Sequence, residues 1–153
     1  VDNLLVEIAY FGVMTFRMSL GELEVLERRL RVQRTTSETM RQLHALKARL
    51  PDLAATRAPS EAFALLRDYS LLVLAIAYAA ADDERVRELL ERYVCQWSAV
   101  TIHTTGRDLR ELGLTPGPRY RTILDGLLFG RLDGRIASEQ DERAYLAELV
   151  SIE

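Results

Sequence analysis

The chain has 153 residues, of which 48% are hydrophobic and 28% charged, and its formal net charge is −3. It is long and apolar enough for a real core in one domain or two small helical subdomains, which excludes a disordered chain. The acidic balance also excludes a broadly basic nucleic-acid protein, so any RNA contact must come from a local patch.

Several features bound the setting. Lys47 is the only lysine, and arginine suits planar phosphate contacts. Cys95 is the sole cysteine, so no internal disulfide forms and a reducing, cytoplasmic compartment is expected. There is no signal-peptide pattern, and the most apolar run, Leu71 to Ala81, is too short to span a bilayer. The sequence opens at Val1 with an apolar period already under way, as expected of a piece of a longer protein.

In chain order, Leu4, Ile8, Phe11 and Thr15 recur at helical spacing, with Leu5, Tyr10 and Phe16 widening the apolar face. Ser19 and Glu22 form a capping box for a helix over about 20–32, with Leu23, Leu26 and Leu30 as its buried stripe. Thr35 and Glu38 form a second box, opening a helix that turns Met40, Leu43 and Leu46 inward and ends at Pro51. After a loop over 51–58, Pro59 and Ser60 open a helix to about Asp68 that buries Phe63 and Leu66. Ser70 caps an apolar helix over 71–81, and the chain turns at Asp82-Asp83. The next helix reaches about Val100, and a last one, capped by Ser138 and Asp141, carries Tyr145, Leu146 and Leu149. No alternating strand pattern occurs, so the expected class is all-α: a compact array of about eight or nine short helices without a sheet.

The stretch from Thr105 to Leu124 organises the rest. Thr105 and Asp108 begin a short helix, Gly113 sits where a left-handed residue would stop it, and Leu114 supplies the apolar contact that follows. Pro116-Gly117-Pro118 makes a turn, and Pro118 fits the first position of the next helix. A helix start fronted by glycine, with Arg119 and Arg121 in its first turn, offers free N–H groups and positive charge to a phosphate. Arg107 can pair with Glu111 and Arg121 with Asp125, whereas Arg110 and Arg119 have no carboxylate at those spacings on their own helix. The same pattern also suits a tight helical corner with solvated arginines.

Catalytic and metal chemistry find no support. His44 and His103 stand alone in the sequence, and there is no zinc-ligand spacing, Walker motif or dinucleotide fingerprint. Asp82-Asp83-Glu84 has the form of a helix start favoured by the dipole.

Gly106-Arg107-Asp108-Leu109, then Leu112-Gly113-Leu114-Thr115-Pro116-Gly117-Pro118, Ile123-Leu124 and Leu132-Asp133-Gly134-Arg135-Ile136 together resemble the C-terminal region of bacterial tRNA nucleotidyltransferases and poly(A) polymerases. The match is specific over about 104–150 and weaker upstream. The resemblance implies a catalytic head that uses Mg²⁺, a neck, and a helical body and tail that hold tRNA. The head's glycine-rich motif and metal-binding Asp pair are not found in this sequence. On that resemblance residues 1–100 are body-like and 101–153 tail-like, and this piece is expected to be no enzyme and to need no cofactor. Its partners would be the 3′ region of tRNA or another RNA, together with the parent's own head and neck, and no membrane. The resemblance and the charge pattern give Gly106, Arg107, Arg110, Gly113, Pro116, Gly117, Pro118, Arg119 and Arg121 as RNA-binding candidates, with no catalytic and no metal residue. Arg121 falls where many relatives carry a small residue. Two rivals remain: a helical protein-interaction or dimerisation module, for which an apolar patch over 4–16 would serve, and a DNA-binding helix–hairpin–helix. The oligomeric state is not legible.

Overall fold

The computed structural model describes residues 3–151; Val1, which opens the sequence, lies outside them. Among the described residues there are nine α-helices and no strand: α1 (Asn3–Thr15), α2 (Leu20–Leu30), α3 (Arg34–Ala55), α4 (Pro59–Leu66), α5 (Leu71–Ala80), α6 (Glu84–Cys95), α7 (Gly106–Glu111), α8 (Pro118–Leu132) and α9 (Glu139–Ser151). A 3₁₀ turn, Trp97–Ala99, follows α6. The all-α expectation is borne out.

Local chemistry sets most boundaries. The Ser19–Glu22 box is fully formed, with Ser19 N–H donating to the Glu22 carboxylate at 2.8 Å and Glu22 N–H returning to Ser19 Oγ at 3.4 Å. Ser70 accepts from Val73 N–H to start α5. Asp83 caps α6 through Arg85 N–H at 2.8 Å, while Asp82 pairs with Arg17 at 3.0 Å. The acidic run is thus divided between a cap and an ion pair.

Three expectations fail where tertiary packing outweighs local signals. First, α3 continues through Pro51 to Ala55. Proline removes the bond to the Lys47 carbonyl, but Pro51 faces solvent, and the turn beyond it places Leu53 and Ala54 in the core. The start of α3 also differs: Gln33 is the N-cap, and no side chain caps there. Second, α2 buries only Leu23; Leu26 is half-buried and Leu30 exposed, because this helix leans on the core at its N-terminal half alone. Third, α6 ends at Cys95 rather than reaching Val100, and the 3₁₀ turn Trp97–Ala99 follows it. His44 is half-buried.

Two apolar clusters result. The larger gathers α1–α6 around Met40, Leu46, Leu66, Val73, Ile76 and Leu90, with the Phe63 and Tyr93 rings 5.5 Å apart. The smaller comprises Leu109, Ile123, Leu127, Ile136 and Leu146. Helix α8 belongs to both, because Leu132 enters the larger cluster and Ile123 and Leu127 the smaller. On α1 the buried positions are Ile8, Gly12 and Thr15, whereas Tyr10 is 69% and Met14 80% exposed. No single helix among the described residues is long and apolar enough to cross a membrane. Helices α4 and α5 reach that length and hydropathy only together, across a bend of 112°.

Candidate nucleic-acid interface

The site is built by two helix stops and the turn between α7 and α8. Asp108 accepts the Thr105 N–H at 2.6 Å and its hydroxyl at 2.8 Å, which fixes the start of α7. Leu109, one residue on, is fully buried. At the other end Gly113 takes φ +83°; its N–H reaches the Arg110 carbonyl at 2.9 Å, and Leu114 N–H reaches Leu109 at 3.1 Å. This is the left-handed stop expected from the sequence, which other residues adopt only with strain. The same device closes α8. Gly134 takes φ +77°, with Gly134 N–H on Arg131 at 3.2 Å and Arg135 N–H on Gly130 at 2.8 Å.

Several motif residues therefore serve the fold. Asp133 crosses to α4 and accepts from Ser60 N–H at 2.9 Å and Ser60 Oγ at 2.8 Å, capping the helix's first turn from outside. Ile136 is buried in the small cluster. The Tyr120 hydroxyl donates to the Leu114 carbonyl at 2.8 Å and its ring lies beside Gly106, so this tyrosine braces the turn.

Pro116, Gly117 and Pro118 are exposed. Gly117 is the N-cap of α8 and supplies no side chain to the first-turn amides. Its extended backbone suits any residue, and an added Cβ would meet nothing nearer than the Thr115 carbonyl at 3.9 Å. The fold leaves this helix start open. Around it, Arg107 pairs with Glu111 at 2.9 Å, and Arg119 donates to the Val150 carbonyl at 2.9 Å, tying α8 to the end of α9. Arg121 lies 3.8 Å from Asp125, whose closer partner is Arg67 at 2.9 Å. Arg110 is exposed and forms no ion pair among the described residues.

Sequence reasoning missed Glu142. It is 1% exposed and joins three segments: Oε1 accepts from His103 N–H at 2.9 Å and from Thr104 N–H and Oγ1 at 2.7 Å each, and Oε2 accepts from Arg131 at 3.1 Å. Desolvation pushes its pKa up, but the hydrogen bonds from Thr104 and His103 outweigh it and leave the pKa below the usual carboxylate value. Thr105 likewise holds the Asp108 carboxyl low, chiefly through its backbone N–H. No local pattern marks Glu142, since its partners lie 11 to 39 residues away.

Beside Glu142 opens a cleft of about 360 Å³ whose walls include Asp108, Glu111 and Glu139, with Arg143 and His103. Its acidic wall repels phosphate, and Arg110 and the Pro116–Pro118 turn are not part of it. Among the described residues no three His, Cys, Asp or Glu side chains gather to hold a metal ion.

No protein-family model matches the chain, and no solved structure matches it significantly. Among curated proteins it is 41% identical, over 90 residues, to the A-adding tRNA nucleotidyltransferase of Geobacter sulfurreducens. The matched stretch is 59% of this chain but only 10% of that protein's length. The similarity bears out the resemblance carried by the motifs at the level of the family. The chain carries a tRNA nucleotidyltransferase-related region.

Proposed function

We propose that this chain is the RNA-holding, C-terminal part of a class II tRNA nucleotidyltransferase or poly(A) polymerase, with a body-like region over 1–100 and a tail-like region over 101–153. It grips the acceptor and T arms of tRNA by shape and backbone. The observation that carries the reading is the uncapped start of α8 at Gly117 and Pro118, with exposed Arg110 and Arg121 on either side of the turn. Gly113 and Pro116 set the turn's path, Gly106 lies against the Tyr120 ring that braces it, and Arg107 and Arg119 border it through their own pairings. The acidic cleft, which neither Arg110 nor the Pro116–Pro118 turn lines, takes no part in this grip. Holding the 3′ end in place supplies proximity and orientation to a catalytic head, where Mg²⁺ and nucleotide choice belong. This piece performs no chemistry and needs no cofactor, and the reading places the protein in the cytoplasm.

A tRNA titration at low and moderate salt tests this. The double variant Arg110→Ala/Arg121→Ala suits it, because Asp125 keeps its Arg67 partner when Arg121 is removed. Wild-type binding should weaken with salt, and the variant's slope of log K against log salt should be shallower by about 1 for each phosphate that is no longer neutralised. Unchanged affinity and slope in the variant would sink the reading.

One observation favours a second reading. Leu5, Tyr10 and Met14 of α1 are exposed, as in a protein-interaction module, and self-association persisting at high salt would support it.

A further inference from the structure

Away from the tail, three arginines line one cleft. The loop between α3 and α4, helix α6 and the 3₁₀ turn enclose a small cleft of about 40 Å³, lined by Arg57, Arg85 and Arg92 with Trp97, Pro59 and Thr56. Arg85 and Arg92 stand two turns apart on α6, so they project from one face. Glu88 lies between them and takes Arg85 Nη1 at 2.9 Å and Arg92 Nη2 at 2.7 Å. Each pairing uses one nitrogen of a group with five N–H donors. Arg57 forms no ion pair among the described residues; its backbone N–H, not its guanidinium, goes to Glu61 at 2.8 Å. Glu88 thus serves Arg85 and Arg92, and Glu61 acts on the Arg57 guanidinium only through the field between them, while no carboxylate lines the cleft.

The remaining lining adds one open donor. The Trp97 indole N–H makes no hydrogen bond among the described residues, yet it is not sealed from solvent. The Thr56 hydroxyl is already given to the Leu53 carbonyl at 2.7 Å. A donor set of this kind fits an oxyanion. The cleft is small, so the occupant is a small group projecting from a larger molecule rather than a base or a whole nucleotide. Pro59 opens α4, whose next residue, Ser60, is held by Asp133 at the C-terminal end of α8. The cleft therefore neighbours one end of α8, and the Gly117 turn forms the other, about 22 Å away along a 15-residue helix.

We propose that the Arg57–Arg85–Arg92 cleft beside Trp97 is a second anchoring point that takes one backbone phosphate of the bound RNA. It rests on the reading of this chain as an RNA holder and extends the grip from the tail turn to the body. Trp97 is the only tryptophan, so its indole N–H gives a single NMR cross-peak that reports on the cleft. The experiment follows that peak during titration with tRNA, and separately with sodium phosphate against sodium chloride at equal ionic strength. Binding is measured in parallel for Arg57→Ala, which leaves both Glu88 pairs in place, and for Arg41→Ala, an exposed arginine of α3.

The expected result is a saturable shift of the Trp97 peak with tRNA, a loss of affinity of about tenfold in Arg57→Ala, and no change in Arg41→Ala. An unmoved peak with full affinity in Arg57→Ala, while Arg110→Ala/Arg121→Ala binds weakly, overturns the cleft and leaves the turn standing. The opposite pair of results keeps the cleft and removes the turn. A peak that responds to sodium phosphate but not to tRNA overturns RNA as the source of the phosphate.

Discussion

The two apolar clusters, in the regions proposed as body and tail, are held together by different forces. Around the larger cluster, stability comes from apolar side chains such as Leu66, Val73 and Ile76, almost wholly removed from water. The smaller cluster has five buried apolar residues, and its shape depends on polar fastenings: the Gly113 and Gly134 stops, the Asp108 and Asp141 caps and the buried Glu142. A region built this way holds an exact turn geometry without a deep core, which suits a surface that must present backbone. It also concentrates its stability in a few charged groups, and so it breaks differently from the body.

The sharpest contrast comes from two truncations. Leu66→Ala should cost about 2–5 kcal/mol and lower the cooperative unfolding of the whole chain, because it opens a cavity in the larger cluster. Glu142→Ala should cost about 3 kcal/mol by leaving Arg131 and the His103–Thr104 amides unpaired. Its effect should fall on the tail: hydrogen exchange speeds up across residues 101–151 while Trp97 fluorescence stays native. Equal loss of protection in both regions would erase the distinction.

Acid gives a gentler version. Glu142, Asp108 and Asp141 all have folded pKa values below their ordinary ones, 4.5 for Glu and 3.8 for Asp. Their stabilisation is complete above those ordinary values and is lost as pH falls through the lower folded ones. The body has only Glu22 and Glu61 in this class, both at exposed caps. Below about pH 4.5 the tail should therefore loosen before the body, seen as faster exchange over residues 101–151 ahead of any change in Trp97 emission.

Much of this was legible in the sequence because it is local. Ser19–Glu22, Ser70, Ser138–Asp141, Gly113 and Pro118 each act within four residues, and all five stand where the sequence places them. Pro51 misled because its local cost is outweighed by the burial of Leu53, which no local pattern announces. On α1 the helical spacing found the buried side at Ile8 and Thr15, but nearly every position is apolar, so it could not show how narrow that side is, and Leu4, Leu5 and Tyr10 proved exposed. The candidate site divides in the same way. The turn and its arginines were readable, whereas Glu142 with Thr104, Asp133 with Ser60 and Arg67 with Asp125 join residues 38 to 73 apart. The Arg57, Arg85 and Arg92 cluster likewise exists only once the chain is folded.

The central claim, that the tail turn holds RNA, is tested most directly by hydrogen–deuterium exchange of this chain with and without tRNA. The account predicts slowed exchange over residues 112–121, at the end of α7 and the start of α8, with no change across α1. Unchanged exchange over 112–121, together with protection of α1 that grows with protein concentration and ignores tRNA, would contradict it and place the working surface on the apolar helix instead.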